Sequence, residues 1–264
     1  MTGLICSCPG PHHSRSSHHP GHRGGDLPDR LHEGAFGGGF AIIGIPLLAL
    51  VMDPTTAGAL LAPLFCVSDL AALRYWRAST WSKVDLMILI PAQLVGTVLG
   101  FLALRQANGD MVAIAIALIT LTFAGLWFAG GARIETKPRS RIKGWLAGVA
   151  AGITSMVAHS GGPPVAMYLL PLGLPKSVYA GTTFVFFVVA NLLKVGPWLA
   201  LLRPTPQFWW LLVISVPVTV VAVWAGWQAH ERLDQLKLYR ICYALLIVVA
   251  MNLLWKGLHG YGLL

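Results

Sequence analysis

Three ionisable residues stand where apolar ones are the rule. Asp69 and Lys194 lie inside long apolar runs, and His159 closes another. Placing such a side chain at the centre of a bilayer costs about 2.5–3.5 kcal/mol on insertion scales, so these residues usually face an interior and mark a path for an ion or substrate. Lys194 would attract an anion; its plainer role is to snorkel its ammonium toward an interface. Asn191 precedes Lys194 by one helical turn and shares its face. His159 can donate to a bound anion or carry a proton, or serve as a hydrogen-bonded histidine at a helix end.

Two glycine-rich breaks interrupt the apolar pattern. One is Gly37-Gly38-Gly39, followed by Pro46; the other is Ser160-Gly161-Gly162-Pro163-Pro164. Glycine lets the backbone leave helical geometry and approach a ligand closely, and proline suits the first turn of a new helix. Each break therefore reads as the start of a half-helix, with Ser160 near the cap of the second. The N-terminus of a half-helix carries roughly half a positive charge and unpaired N–H groups, which favour anions. The alternative is that these glycines only permit close helix packing. Gly37, Gly38, Gly39, His159, Ser160, Gly161, Gly162, Thr182, Asn191 and Lys194 form the candidate substrate-binding set.

Enzyme chemistry finds little support. His32-Glu33 and His230-Glu231 each begin a zinc-protease-like pattern, but neither has a second histidine four residues on. Ser160 beside His159 lacks a third triad member. Cys66 and Cys242 sit in apolar runs, and Cys6 and Cys8 do not match a common zinc spacing. No catalytic residue, metal site or cofactor is assigned.

The elements that must carry these residues are membrane spans. The chain is 56% hydrophobic and only 11% charged, against roughly 25% charged in a soluble domain. Apolar runs at 55–76, 84–104, 111–130, 178–201, 208–229 and 236–255 approach or exceed the roughly 20 residues a span needs. Two pieces, 36–51 and 144–172, are broken by glycine and proline. The runs lack the alternation of barrel strands, so the fold is all-α, integral to the membrane and polytopic. The net charge of +9 raises nucleic acid as a partner. However, the basic residues occupy short loops, as the cytoplasmic loops of membrane proteins do, and nucleic-acid binding is rejected. The densest group is Arg133, Lys137, Arg139, Arg141 and Lys143. The partners are the lipid bilayer and a small anion, and a homo-oligomer is compatible with the composition.

The chain repeats itself. A shift of 123 residues carries Gly38-Gly39 onto Gly161-Gly162, Ala57-Gly58 onto Ala180-Gly181 and Ser68 onto Asn191. Three further residues bring Pro91 and Gly100 onto Pro217 and Gly226. This divides the sequence into a polar segment 1–33, a first repeat 34–130, a basic cytoplasmic loop 131–143, a second repeat 144–258 and a tail 259–264. A span at 144–158 precedes the second break. Its counterpart is occupied by residues 1–33, which hold six of the nine histidines, so a first helix is missing or replaced. That segment reads as a disordered extension, a His-rich metal tail or a mistranslated stretch. The shift also carries Asp69 onto Leu192, which puts Asp69 and Lys194 at similar depths and suggests an ion pair or coupling between them. Repeats of this kind build many transporters.

These motifs resemble the sulfite exporter TauE/SafE family of bacterial membrane permeases. The resemblance rests on 37–47 with its glycines and Pro46, on the run from Ala57-Gly58 to Arg74-Tyr75, and on Ser160-Gly161-Gly162-Pro163-Pro164, over roughly residues 34–258. It implies a bundle of two repeated halves with broken half-helices in a bacterial plasma membrane. It also implies a carrier exporting small anions such as sulfite, sulfonates or related organosulfur compounds. An anion channel and, further off, an intramembrane enzyme are the alternatives.

Overall fold

The computed structural model describes residues 48–49, 51–73, 81–129, 136–230 and 235–260. Among these residues the chain is helical and contains no strand. The elements are α1 (Pro54–Leu73), α2 (Lys83–Gln106), α3 (Gly109–Ala129), α4 (Arg141–Ala158), α5 (Gly162–Leu169), α6 (Lys176–Leu202), α7 (Pro206–His230) and α8 (Gln235–Gly260). A 3₁₀ turn, Leu170–Leu172, ends α5. By length and composition, three helices are long and apolar enough to cross a membrane, at Lys83–Gln106, Gly109–Leu126 and Ser177–Leu202. Shorter apolar helices accompany them. The protein is an all-α membrane protein.

Local chemistry sets the helix ends. Ser82 caps α2 by accepting from the Asp85 N–H, and Ser140 caps α4 by accepting from the Lys143 N–H, each at 3.4 Å. These bonds satisfy donors that a helix start leaves unpaired. Pro63, Pro91, Pro197 and Pro217 lie inside helices, which membrane helices tolerate when neighbouring groups satisfy the freed backbone.

The apolar run at 144–172 resolves into two helices, because His159 turns the chain out of α4 before the two prolines start α5. The first-half piece at 36–51 lies almost wholly outside the described residues, as do Gly37, Gly38 and Gly39 and the polar segment 1–33.

Helices pair as α2 with α4, α3 with α8, and α1 with α6. The α2–α4 contact is backbone on backbone. A Cβ on Gly152 would sit 2.7 Å from the Thr97 nitrogen and 2.8 Å from the Gly96 Cα. Small residues give helices this approach in lipid, where van der Waals contact replaces the hydrophobic effect as the driving force. One apolar core gathers Ile116, Met156, Trp198 and Leu253, and a second gathers Leu89, Val165, Leu169 and Phe186.

Candidate functional site

The break between α4 and α5 is the centre of a buried polar cluster. His159 ends α4 in the left-handed region (φ 49°, ψ 28°), a conformation that is uncommon outside glycine, although histidine is among the enriched exceptions. Its N–H returns to the Ser155 carbonyl at 3.0 Å, and the Ser160 N–H returns to the Thr154 carbonyl at 3.1 Å. The first bond is the 5→1 closure of an αL cap, with His159 as the left-handed residue.

The imidazole is held from three sides. Nε2 lies 3.2 Å from the Gly58 carbonyl oxygen of α1. The ring stacks on Trp198 of α6 with centroids 5.6 Å apart, and it meets Phe65 of α1 at 5.2 Å. A carbonyl can only accept, so Nε2 carries the proton, and the neutral ring offers Nδ1 as an acceptor. Nδ1 is buried and has no hydrogen-bond partner.

Lys194 lies deeper in α6 and is 2% exposed. Among the described residues its Nζ has a single hydrogen bond, 3.5 Å to Ser155 Oγ, and it stands 5.1 Å from the centroid of the Phe65 ring. An ammonium has three donors, and a cation buried this fully is ordinarily paired. Ser160 Oγ, also buried, has no partner. A buried cation with spare donors, one spare hydroxyl and aromatic walls can hold a small oxyanion.

The half-helix contributes less than its dipole suggests. Gly161 is the N-cap of α5, without a side-chain cap bond, so Ser160 sits one residue before the cap and not at it. Pro163 and Pro164 carry no N–H, which leaves Gly161 and Gly162 as donors in the first turn.

The remaining candidates are placed as follows. Asn191 Nδ2 donates to Asp69 Oδ2 at 2.6 Å. Among the described residues no direct ion pair joins Asp69 to Lys194; the amide of Asn191, a turn earlier on α6, holds one carboxylate oxygen, and the two charges act on each other through space. Thr182 lies three turns from Lys194 and is occupied on both sides. It accepts from the Ser82 N–H at 2.8 Å and donates to the Val178 carbonyl at 2.6 Å. Among the described residues, no group of three or more His, Cys, Asp or Glu gathers as metal ligands do.

Reading the sequence missed Ser155, Phe65 and Trp198, whose roles depend on which helices meet. It also missed a second polar centre. Asp85, fully buried in the first turn of α2, accepts from Arg139 Nε at 2.8 Å and Nη2 at 3.0 Å, from Ser82 Oγ at 2.6 Å and from Tyr168 Oη at 3.0 Å. The bond to Asp85 holds the Arg139 guanidinium above its ordinary pKa. The sequence signal was Ser82-x-x-Asp85, a capping pattern at the head of an apolar run.

A family model described as "Sulfite exporter TauE/SafE" matches residues 31–253. The chain belongs to the sulfite exporter TauE/SafE family. No curated protein and no solved structure matches it. TauE/SafE proteins are membrane transporters, which makes a polar cluster at a helix break between spans the natural place to look for cargo. The match spans the residues of both glycine-rich breaks of this TauE/SafE chain.

Proposed function

We propose that the protein is a carrier of small oxyanions, such as sulfite, sulfonates or related organosulfur anions, across a bacterial plasma membrane. Its binding site lies at the α4–α5 break. Lys194 supplies the charge, Ser155 and Ser160 supply hydroxyl donors, and the N–H groups of Gly161 and Gly162 cap the anion. The observation that carries this reading is the Lys194 ammonium, buried on α6 with one 3.5 Å hydrogen bond and no direct carboxylate contact among the described residues, Asp69 acting on it only through space. An unpaired buried cation is costly. A chain that keeps one inside a span has a use for it in function.

That cost makes the test specific. Replacing a buried charge that has no direct partner by an apolar residue of similar volume removes its desolvation cost. Lys194→Met should therefore leave thermal stability in detergent unchanged or higher. A lost hydrogen bond to a charged group, about 1.5–3 kcal/mol, corresponds to roughly 10–150-fold weaker anion binding. Uptake and counterflow of labelled sulfite into proteoliposomes would measure it. Saturation and counterflow identify a carrier and distinguish it from an open pore. Wild-type uptake by Lys194→Met would refute the site.

A further inference from the structure

A cavity lined by none of Lys194, Ser155, Ser160 and Phe65 lies in the cleft bounded by α3, α4 and α5. It has a volume of about 690 Å³, and its walls include Leu118 and Phe123 of α3, Leu146 and Ala150 of α4 and Met167 of α5. Leu118, Leu146 and Met167 are 53%, 65% and 67% exposed, so the cleft is open along an apolar face, one wall of which is the membrane-spanning helix α3.

Its polarity is confined to one end. The wall hydroxyls are turned back on their own helices: Thr122 donates to the Leu118 carbonyl at 2.7 Å and Thr154 to the Ala150 carbonyl at 2.9 Å. Tyr168 Oη is held by Asp85, and Ser140 Oγ by the α4 cap. At the mouth stand Lys137 and Lys143, both exposed and neither ion-paired with a described residue. These lysines belong to the basic loop that marks the cytoplasmic side. The distance from Lys143 to Thr154 along α4 is roughly 16 Å at 1.5 Å per residue. That is about half of a hydrocarbon core of roughly 30 Å, the depth of one leaflet.

We propose that this cleft is a binding site for an anionic phospholipid of the cytoplasmic leaflet, with its phosphate on Lys137 and Lys143 and an acyl chain along the α3–α4 groove. A cleft one leaflet deep, apolar below and cationic at the headgroup level matches a phospholipid in both shape and charge. A small soluble anion would leave the groove unfilled. Basic residues near a membrane surface each favour anionic lipid, and two of them correspond to a preference of roughly tenfold or more.

The test is native mass spectrometry of the full-length, delipidated protein. Phosphatidylglycerol or phosphatidylcholine with the same acyl chains is added in separate titrations. Wild type should retain a phosphatidylglycerol adduct at roughly tenfold lower lipid concentration than phosphatidylcholine. K137Q/K143Q, at exposed positions, should bind both lipids equally, and Ala150→Trp, which fills the groove, should weaken both. Glycerol 3-phosphate should not compete. Equal retention of the two lipids by wild type overturns the proposal, as does a preference that survives K137Q/K143Q. Competition by glycerol 3-phosphate, which would mark a soluble-anion site, overturns it too.

Discussion

His159 Nε2 donates to the Gly58 carbonyl oxygen across 3.2 Å, joining residues 101 positions apart. That bond ties α1 to the break between α4 and α5 and fixes which ring nitrogen remains free. It also accounts for a side chain in the left-handed region, a place where glycine would be unstrained. Gly58 has its own constraint, since a Cβ there would overlap the Trp198 ring, 2.6 Å from Cζ2 and Cζ3 and closer still to Cη2. One glycine thus admits the indole that the imidazole stacks upon and supplies the carbonyl that the imidazole needs.

His159→Gly separates backbone strain from ring contacts. Glycine would relieve roughly 1–2 kcal/mol of left-handed strain. It would also empty a buried site, lose the ring's hydrogen bond to the Gly58 carbonyl at about 0.5–1.5 kcal/mol and forfeit two ring contacts. The variant should melt below wild type in detergent. A higher melting temperature would mean that the ring contributes nothing to the fold and is retained for its Nδ1 alone.

Adjacent glycines at the break should respond differently to alanine. A Cβ on Gly161 would meet the Ala151 carbonyl oxygen at 3.0 Å and Ser155 Cβ at 3.1 Å, whereas a Cβ on Gly162 finds Phe187 at 3.8 Å. Overpacking costs typically about 1–3 kcal/mol, so Gly161→Ala should lower the melting temperature and displace Ser155 from Lys194. Gly162→Ala should fold and melt like wild type. Equal effects at the two positions would contradict this geometry.

The spans were legible because lipid demands about 20 apolar residues in a row, a signal that survives without tertiary knowledge. Within the described residues all six apolar runs of full length are helical. The second break was legible for a similar reason, since Gly161-Gly162-Pro163-Pro164 conflicts with a continuous helix. What surrounds Lys194 was not legible. Ser155 is an ordinary small residue of α4, and only the meeting of α4 with α6 makes it the partner of an ammonium. Trp198 likewise has no sequence mark separating it from the interfacial tryptophans, yet it is wholly buried. Asp85 escaped because a carboxylate at the mouth of a span resembles a solvated end; its partner lies 54 residues away.

The Asp85–Arg139 pair should be asymmetric. Asp85 is fully buried and the Arg139 side chain is 41% exposed. Arg139→Gln leaves a buried carboxylate with only Ser82 and Tyr168, whereas Asp85→Asn leaves a guanidinium that water can reach. Breaking a fully buried pair costs about 3–5 kcal/mol. With one partner half open to solvent, about 2 kcal/mol is expected for Arg139→Gln and less for Asp85→Asn. Denaturation of the two variants under identical conditions gives the order, and a larger loss in Asp85→Asn would reverse the assignment.

The charges on α1 and α6 separate in the same manner. The repeat suggested that Asp69 and Lys194 attract each other directly, and a carboxylate and an ammonium in neighbouring helices have good reason to do so. The geometry inserts Asn191 instead: its amide donates to Asp69 at 2.6 Å, while Lys194 reaches Ser155. Interhelical hydrogen bonds in membrane proteins average about 0.6 kcal/mol and reach about 1.7. A short bond to a carboxylate belongs at the upper end of that range. A cycle of Asp69→Asn and Asn191→Leu should therefore give a coupling above about 1 kcal/mol. A cycle of Asp69→Asn with Lys194→Met should give a smaller one, because those side chains share no bond. If the second coupling proves larger, the charges act as a pair across the site and Asn191 is a bystander. Lys194 would then already be neutralised by Asp69, and the spare cation on which anion binding rests would be gone.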